Sequence, residues 1–374
     1  MRAALSYCYI IACGSAVTKS YDSAGRLQVV NDRTKTGQYI SVFIYMYDAL
    51  GRITSEINPI SGRQYNMTYD VLGRVTARTE VNSGNGEVIN EESFTYDDAG
   101  NIAPDDEDIV YEYNSDNTLK RILQKYEKDG EIKYRRLVRS AYDVRGNVTA
   151  IKTKNGYYQN VTYDAKNRLK KAEGDYSEYW YDADDNRIDM YDHSTNMKYT
   201  YDCAGGRSRL VWTSSHLYEV TTYAYGAEGL IWSRTDGSYQ VYHYDYRGSV
   251  IAVTDIDGNI TDTITYTAYG KQASRTGTSK LIFGYNGRHG VLSDPNGLLY
   301  MRTRFYNPDF KRFMSADIID GSIADSTSLN VYAFVNGNPI SLIDPIWTQF
   351  KGWGRITEFD TQRKRISHIC SEIL

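Results

Sequence analysis

Proline is scarce in this chain, 6 residues in 374, and no stretch is long and apolar enough to span a bilayer. Little proline beside 36 tyrosines excludes a disordered chain and describes a strand-rich one. Charge of one sign is also lacking: the net charge is −4 and no long basic run occurs. A nucleic-acid groove therefore has little electrostatic support, and no nucleic-acid partner is expected. Cysteines number four, Cys8, Cys13, Cys203 and Cys370, scattered without metal-ligand spacing. No metal or cofactor is expected, and an oxidising compartment is neither demanded nor excluded.

What the chain does have is one phrase repeated. Tyr21-Asp22-Ser23-Ala24-Gly25-Arg26-Leu27 recurs as Tyr47-Asp48-Ala49-Leu50-Gly51-Arg52-Ile53 and Tyr69-Asp70-Val71-Leu72-Gly73-Arg74-Val75. Looser copies begin at Tyr96, Tyr113, Tyr142, Tyr163, Tyr181, Tyr201 and Tyr244, most of them 17 to 29 residues apart. That spacing marks an array, whose function belongs to the surface or cavity it builds. Each copy reads as strand, turn, strand. Asp starts the turn through its own backbone, and the fifth position needs a positive φ. Asn117 and Asn167 replace Gly there, as the next residue to tolerate that region. The following aliphatic residue opens the return strand of a hairpin. The Tyr stripe reads as sheet-covering, and the recurrent Asp residues as turn formers rather than a catalytic carboxylate set.

After about residue 220 the wording changes. Asp257-Gly258 sits between β-branched runs as a strong hairpin turn. Then come Gly297-Leu298-Leu299-Tyr300 with Arg302, Arg304, Tyr306 and Pro308, Arg312-Phe313-Met314-Ser315-Ala316-Asp317, Asn330-Val331-Tyr332-Ala333-Phe334 with Asn338-Pro339, and Asp344-Pro345. This ordered set resembles the RHS repeat-associated core, and the chain is identified as similar to RHS/YD-repeat proteins over nearly its whole length.

The resemblance implies an all-β fold: a spiralling antiparallel β-hairpin array forming part of an RHS/YD shell over residues 1–220, an RHS core plug over 221–345, and a variable tail over 346–374. It implies a shell around a C-terminal effector released by aspartyl self-cleavage, in proteins that are secreted or surface-associated. The partners implied are the chain's own effector segment or the remainder of a longer RHS chain, and an immunity protein. About ten repeats, fewer than the family uses, lead us to expect an incomplete shell with a free edge and an exposed inner face.

Asp317 matches the position of a family catalytic aspartate. An aspartyl mechanism needs a second carboxyl to share a proton; Ala333 stands near where related cores carry one, and Asp320 and Asp325 match no motif. The cleavage region Asp344, Pro345, Ile346, Trp347 departs from the family pattern Asp-Pro-x-Gly-Leu, with Trp347 and Thr348 in place of Gly and Leu. The 27 residues from Thr348 onward are too few for an enzyme with its own core. Asp360 with Ile366, Ile369 and Ile373 predicts a short C-terminal helix. At the other end, Ile10-Ile11-Ala12-Cys13 has the look of a lipoprotein cleavage box. Ser6, Tyr7, Cys8 and Tyr9 interrupt the apolar core of a signal peptide, so the segment reads as a strand. The expected function is a non-catalytic structural part of a toxin-delivery or cell-surface protein, its effector truncated. The alternatives are a self-cleaving core and a glycan-binding adhesion module, which clustered solvent-facing Tyr and Trp would favour.

Overall fold

The computed structural model describes residues 6–10, 14–153, 157–173, 176–193, 195–204, 208–217, 219–318, 321, 328–343 and 354–355. Among them there is no α-helix, only strands, turns and short 3-10 turns such as Gly287–His289 and Val335–Gly337. Twenty-five strands run from β1 (Ser6–Ile10) to β25 (Gln272–Thr276), each antiparallel to its sequence neighbour within a sheet. They form a nine-stranded sheet ending at β9 (Ile102–Pro104) and a sixteen-stranded sheet starting at β10 (Ile109–Tyr113). The ladder passes residue 220 without a break, because strand Arg209–Ser215 pairs with Val220–Gly226 and that strand with Gly229–Thr235. The change of wording near 220 is therefore not an interruption of the sheet. Ile10 lies in β1, and Ile11, Ala12 and Cys13, like the stretch from Asp360 to Ile373 expected to form a helix, lie outside the described residues.

One repeat explains the rest. Asp22 Oδ1 accepts the amides of Ala24 and Arg26, each at 2.9 Å. The Gly25 amide donates to the Asp22 carbonyl at 2.9 Å, and Gly25 takes φ +79°. Asn117 and Asn167 hold the same place at φ +64° and +61°. Partial burial raises the Asp22, Asp48 and Asp164 carboxyls, but backbone amides and the guanidinium four residues on outweigh it and hold them below the usual carboxylate range.

Each repeat also grips the next. Arg26 Nη1 donates to the Asp48 carbonyl at 3.1 Å, Arg52 to that of Asp70 at 3.2 Å, and Arg168 to that of Asp182 at 3.1 Å. The same guanidiniums lie 4.6–4.7 Å from the ring centres of Tyr47, Tyr69 and Tyr181. Each Tyr hydroxyl then returns a hydrogen bond to the previous repeat: Tyr47 to the Leu27 carbonyl, Tyr69 to Ile53, Tyr96 to Val75, Tyr181 to Leu169. Asp, Arg and Tyr are thus spent on stacking neighbours, the nearest-neighbour logic of a repeat array.

The array curls back on itself. Lys19 of β2 (Ala16–Tyr21) pairs with Glu228 at 2.8 Å. Asp32 of β3 (Leu27–Arg33) meets His243, and Tyr45 packs edge-on against Tyr246 at 5.0 Å. Arg78 donates to the Tyr266 carbonyl at 3.1 Å, and Glu92 accepts the Ala268 amide at 2.9 Å. Val17, Val30, Phe43, Tyr45, Met67 and Phe94 are buried in a core shared with the later strands. The expected exposed inner face is therefore covered at these strands, because the first sheet packs on the last strands of the second.

Candidate functional site: where the C-terminal segment joins the turns

The described residues between 281 and 343 form a segment around a four-stranded sheet, β26 (Leu292–Ser293) to β29 (Arg312–Phe313). Phe283, Tyr285, Tyr300, Phe305, Tyr306, Phe313 and Phe334 are buried and continue the core of the array. The segment meets the array at its Tyr-Asp turns. Three of those turns carry Asn at the place where Arg26, Arg52, Arg74 and Arg168 stand in four others: Asn101, Asn147 and Asn186. All three are contacted. Asn330 Nδ2 donates to Asn101 Oδ1 at 2.8 Å. Tyr332 donates to the Gly146 carbonyl at 2.8 Å, beside Asn147. Tyr300 donates to the Asp185 carbonyl at 3.3 Å and accepts the Arg187 amide at 3.1 Å, on either side of Asn186. A short amide side chain leaves room over the turn that a guanidinium would fill.

At one place the segment enters the ladder itself. The Met314 carbonyl accepts both the Val148 amide at 2.9 Å and the Tyr163 hydroxyl at 3.4 Å. In the regular pattern that hydroxyl would bond Val148. Further along, Arg187 pairs with Asp294 at 2.7 Å, with both side chains almost fully buried. The guanidinium faces the rings of Tyr199 and Tyr300 at 4.6 and 4.5 Å.

Asp317 lies at the edge of this segment. Its amide donates to the Val331 carbonyl at 3.0 Å, and its carboxylate pairs with Arg304 at 2.8 Å. Arg304 itself lies over Phe313 at 3.6 Å and donates to the Val331 carbonyl at 3.1 Å. Ala333 forms a β-bridge with Arg312, while Asp317 bonds Val331 two residues before it. Asp320, Asp325 and the cleavage region Asp344, Pro345, Ile346, Trp347 lie outside the described residues. Among the described residues no group of three His, Cys, Asp or Glu could hold a metal, and no helix is long and apolar enough to cross a membrane.

Two buried polar clusters escaped the sequence reading. His243 Nδ1 lies 2.6 Å from Asp32 Oδ2, and Nε2 lies 3.0 Å from Thr254 Oγ1. The order Asp, His, Thr has the look of a nucleophile set. All three residues are under 5% exposed, so no substrate reaches them, and the set straps the first sheet to the second. Their 211-residue separation hides them from any sequence window.

The second cluster holds Glu56, beside the buried Arg247–Asp245 pair. Burial pushes the Glu56 carboxyl up to about 7 from its ordinary 4.5, with Arg247 pulling it down and Asp245 pushing it up. The folded state therefore binds the proton more tightly than the unfolded chain. Stability from that proton is complete below pH 4.5 and is lost as pH rises to about 7. Glu56→Gln is expected to match the parent near pH 4 and to exceed it at pH 8 by on the order of 2–3 kcal/mol, read from urea unfolding at the two pH values. A constant difference across that range would contradict this.

With the geometry in place, the comparisons with known proteins can be set beside it. The Teneurin YD-shell family matches residues 6–340. The chain belongs to this family. It is an RHS/YD-shell protein, built as a β-shell of antiparallel hairpins. Over 308 residues it is 27% identical to the tRNA3(Ser)-specific nuclease WapA of Bacillus spizizenii, covering 80% of this chain and 11% of that protein. It is 24% identical over 362 residues to the double-stranded DNA deaminase toxin A of Burkholderia cenocepacia, covering 87% and 22%. A solved structure of the Photorhabdus luminescens Tc holotoxin pore aligns with 94% of this YD-shell chain and 21% of that chain, at 16% identity and a TM-score of 0.45. The chain thus spans about a tenth to a fifth of the length of the curated relatives it matches.

Proposed function

We propose that this YD-shell chain is a non-catalytic structural part of an RHS-type toxin-delivery protein. The strand array to Thr276 serves as wall, residues 281–343 as the plug that closes it, and a C-terminal effector segment as the cargo, with an immunity protein as its further partner. In this reading the division falls near 280 rather than 220. The reading supposes a secreted or surface location. The observation that carries it is the joining of the C-terminal segment to turns from Asn101 to Asn186, which makes that segment the closure of the array. The named relatives support it, since a tRNA-specific nuclease and a DNA deaminase toxin each align with most of this chain over only a tenth to a fifth of their own length. The adhesion alternative rests on Tyr126, Tyr134, Trp180 and Trp212, which are exposed, and not on the tyrosines of the repeated turns. Tyr47, Tyr69, Tyr96, Tyr113, Tyr163 and Tyr181 pack against the core rather than forming a solvent-facing stripe.

The test is chemical inertness. Purified protein is expected to leave tRNA and double-stranded DNA unaltered and to keep a single intact mass near 42.7 kDa on prolonged incubation. A product ending near residues 346–348, abolished by Asp317→Asn, would replace this reading with the self-cleaving one. In that case Asp317 would be catalytic despite its pairing with Arg304.

A further inference from the structure

A pocket of about 20 Å³ opens between the C-terminal segment and the turn at Gly100. That is room for one small polar group. Its walls include two cations, Lys311 and Arg312, and no acidic residue. Arg312 is 6% exposed. Its guanidinium lies between Tyr113 and Tyr332, 5.1 and 4.7 Å from the ring centres, and Nη2 donates to the Asn117 carbonyl. Its buried Nε has no protein partner.

Lys311 has no better provision. Its ammonium lies 5.8 Å from the Phe94 ring centre, and burial lowers its pKa. The carboxylates whose fields reach it are Glu92 and Asp309. Both are already engaged, Glu92 with Arg78 at 3.2 Å and Asp309 with Lys271 at 2.7 Å. Two neighbouring cations, Arg312 buried and Lys311 half-buried, therefore line one small space with a donor unused; Asp116, whose carboxyl lies in the field of Arg312, is not among the walls. Such an arrangement is unfavourable when empty of negative charge and favourable around an anion.

We propose that this pocket is a binding site for a small carboxylate, which takes the free Nε–H of Arg312 and lies in the field of Lys311. The site is distinct from the Asp317–Arg304 pair. Ala333 lines the same pocket and stands directly opposite Arg312 in an antiparallel bridge, so the two side chains project from one face of the ladder. An acid at position 333 would supply the missing charge from within the chain.

The experiment uses the full chain and formate as the probe. Thermal unfolding is followed while formate replaces chloride at constant ionic strength, so that general screening does not change. A rise of a few degrees is expected as formate saturates the site. Ala333→Asp is expected to unfold at a higher temperature without formate and to lose the response. Ala333→Asn, equal in size but uncharged, is expected to show no such gain. The proposal is overturned if formate and chloride give superimposable curves, or if Ala333→Asp unfolds no higher than Ala333→Asn. Neither arm requires Arg312 to be removed, so a folding defect at that buried residue does not confuse the result.

Discussion

Replacing Arg187 by Met is expected to cost about 3–5 kcal/mol of unfolding free energy, because it strands a buried carboxylate. Arg187 Nη1 reaches both oxygens of Asp294 at 2.9 and 2.7 Å, and the two side chains are 1% and 2% exposed. The pair joins strand Arg187–Tyr191 of the array to the C-terminal segment, 107 residues away in sequence. Most of the expected loss comes from the orphaned charge and not from the pair's own net worth. Adding Asp294→Leu to Arg187→Met should therefore restore much of the stability, and the denaturant midpoints of the two variants separate the contributions. A loss below about 1 kcal/mol for Arg187→Met would mean that the segment is not held here.

The second large effect is at Gly270, where Gly270→Ala is expected to cost about 3–5 kcal/mol against about 1–2 for Gly25→Ala. Both glycines hold the fifth turn position, at φ +85° and +79°, so an alanine is strained equally at each. They differ in what surrounds them. A Cβ at 25 meets nothing within 4 Å, whereas one at 270 would stand 2.6 Å from the ring of Tyr285. That ring is 1% exposed and packs against Tyr266 and Phe334, so it has nowhere to move. Equal losses in the two variants, measured by urea unfolding, would show that the turn strain alone decides and that Tyr285 yields.

The turn grammar was legible because it is local. A positive φ at the fifth position follows from Gly, Asn and the Asp start, and all of these lie within one short window of sequence. The grip between repeats was not legible. Arg26 bonds the Asp48 carbonyl but Arg168 bonds that of Asp182, 22 and 14 residues on, and this variable spacing hides a constant contact. The same holds for closure of the array, since Asp32 and His243 carry no mutual signal in sequence. One clue to the docking of the C-terminal segment was present and went unread. Asn101, Asn147 and Asn186 stand where four other turns carry Arg, and those three turns are where Asn330, Tyr332 and Tyr300 attach. Asp317 was legible as a motif position, but its partner Arg304 belongs to the same motif run and became visible only as an ion pair.

The central claim is that the array and the C-terminal segment are one cooperative unit, with the segment acting as its closure. Native-state hydrogen exchange read by mass spectrometry tests it most directly. The amides of Val148 and Arg187, bonded to the Met314 carbonyl and the Tyr300 hydroxyl, should exchange as slowly as the core strands of both sheets. Peptides from residues 299–314 should share that protection, and Arg187→Met should raise exchange in all of them together. If residues 299–314 instead exchange freely while the array stays protected, the segment is an appendage, and the account of it as the closure of the shell fails.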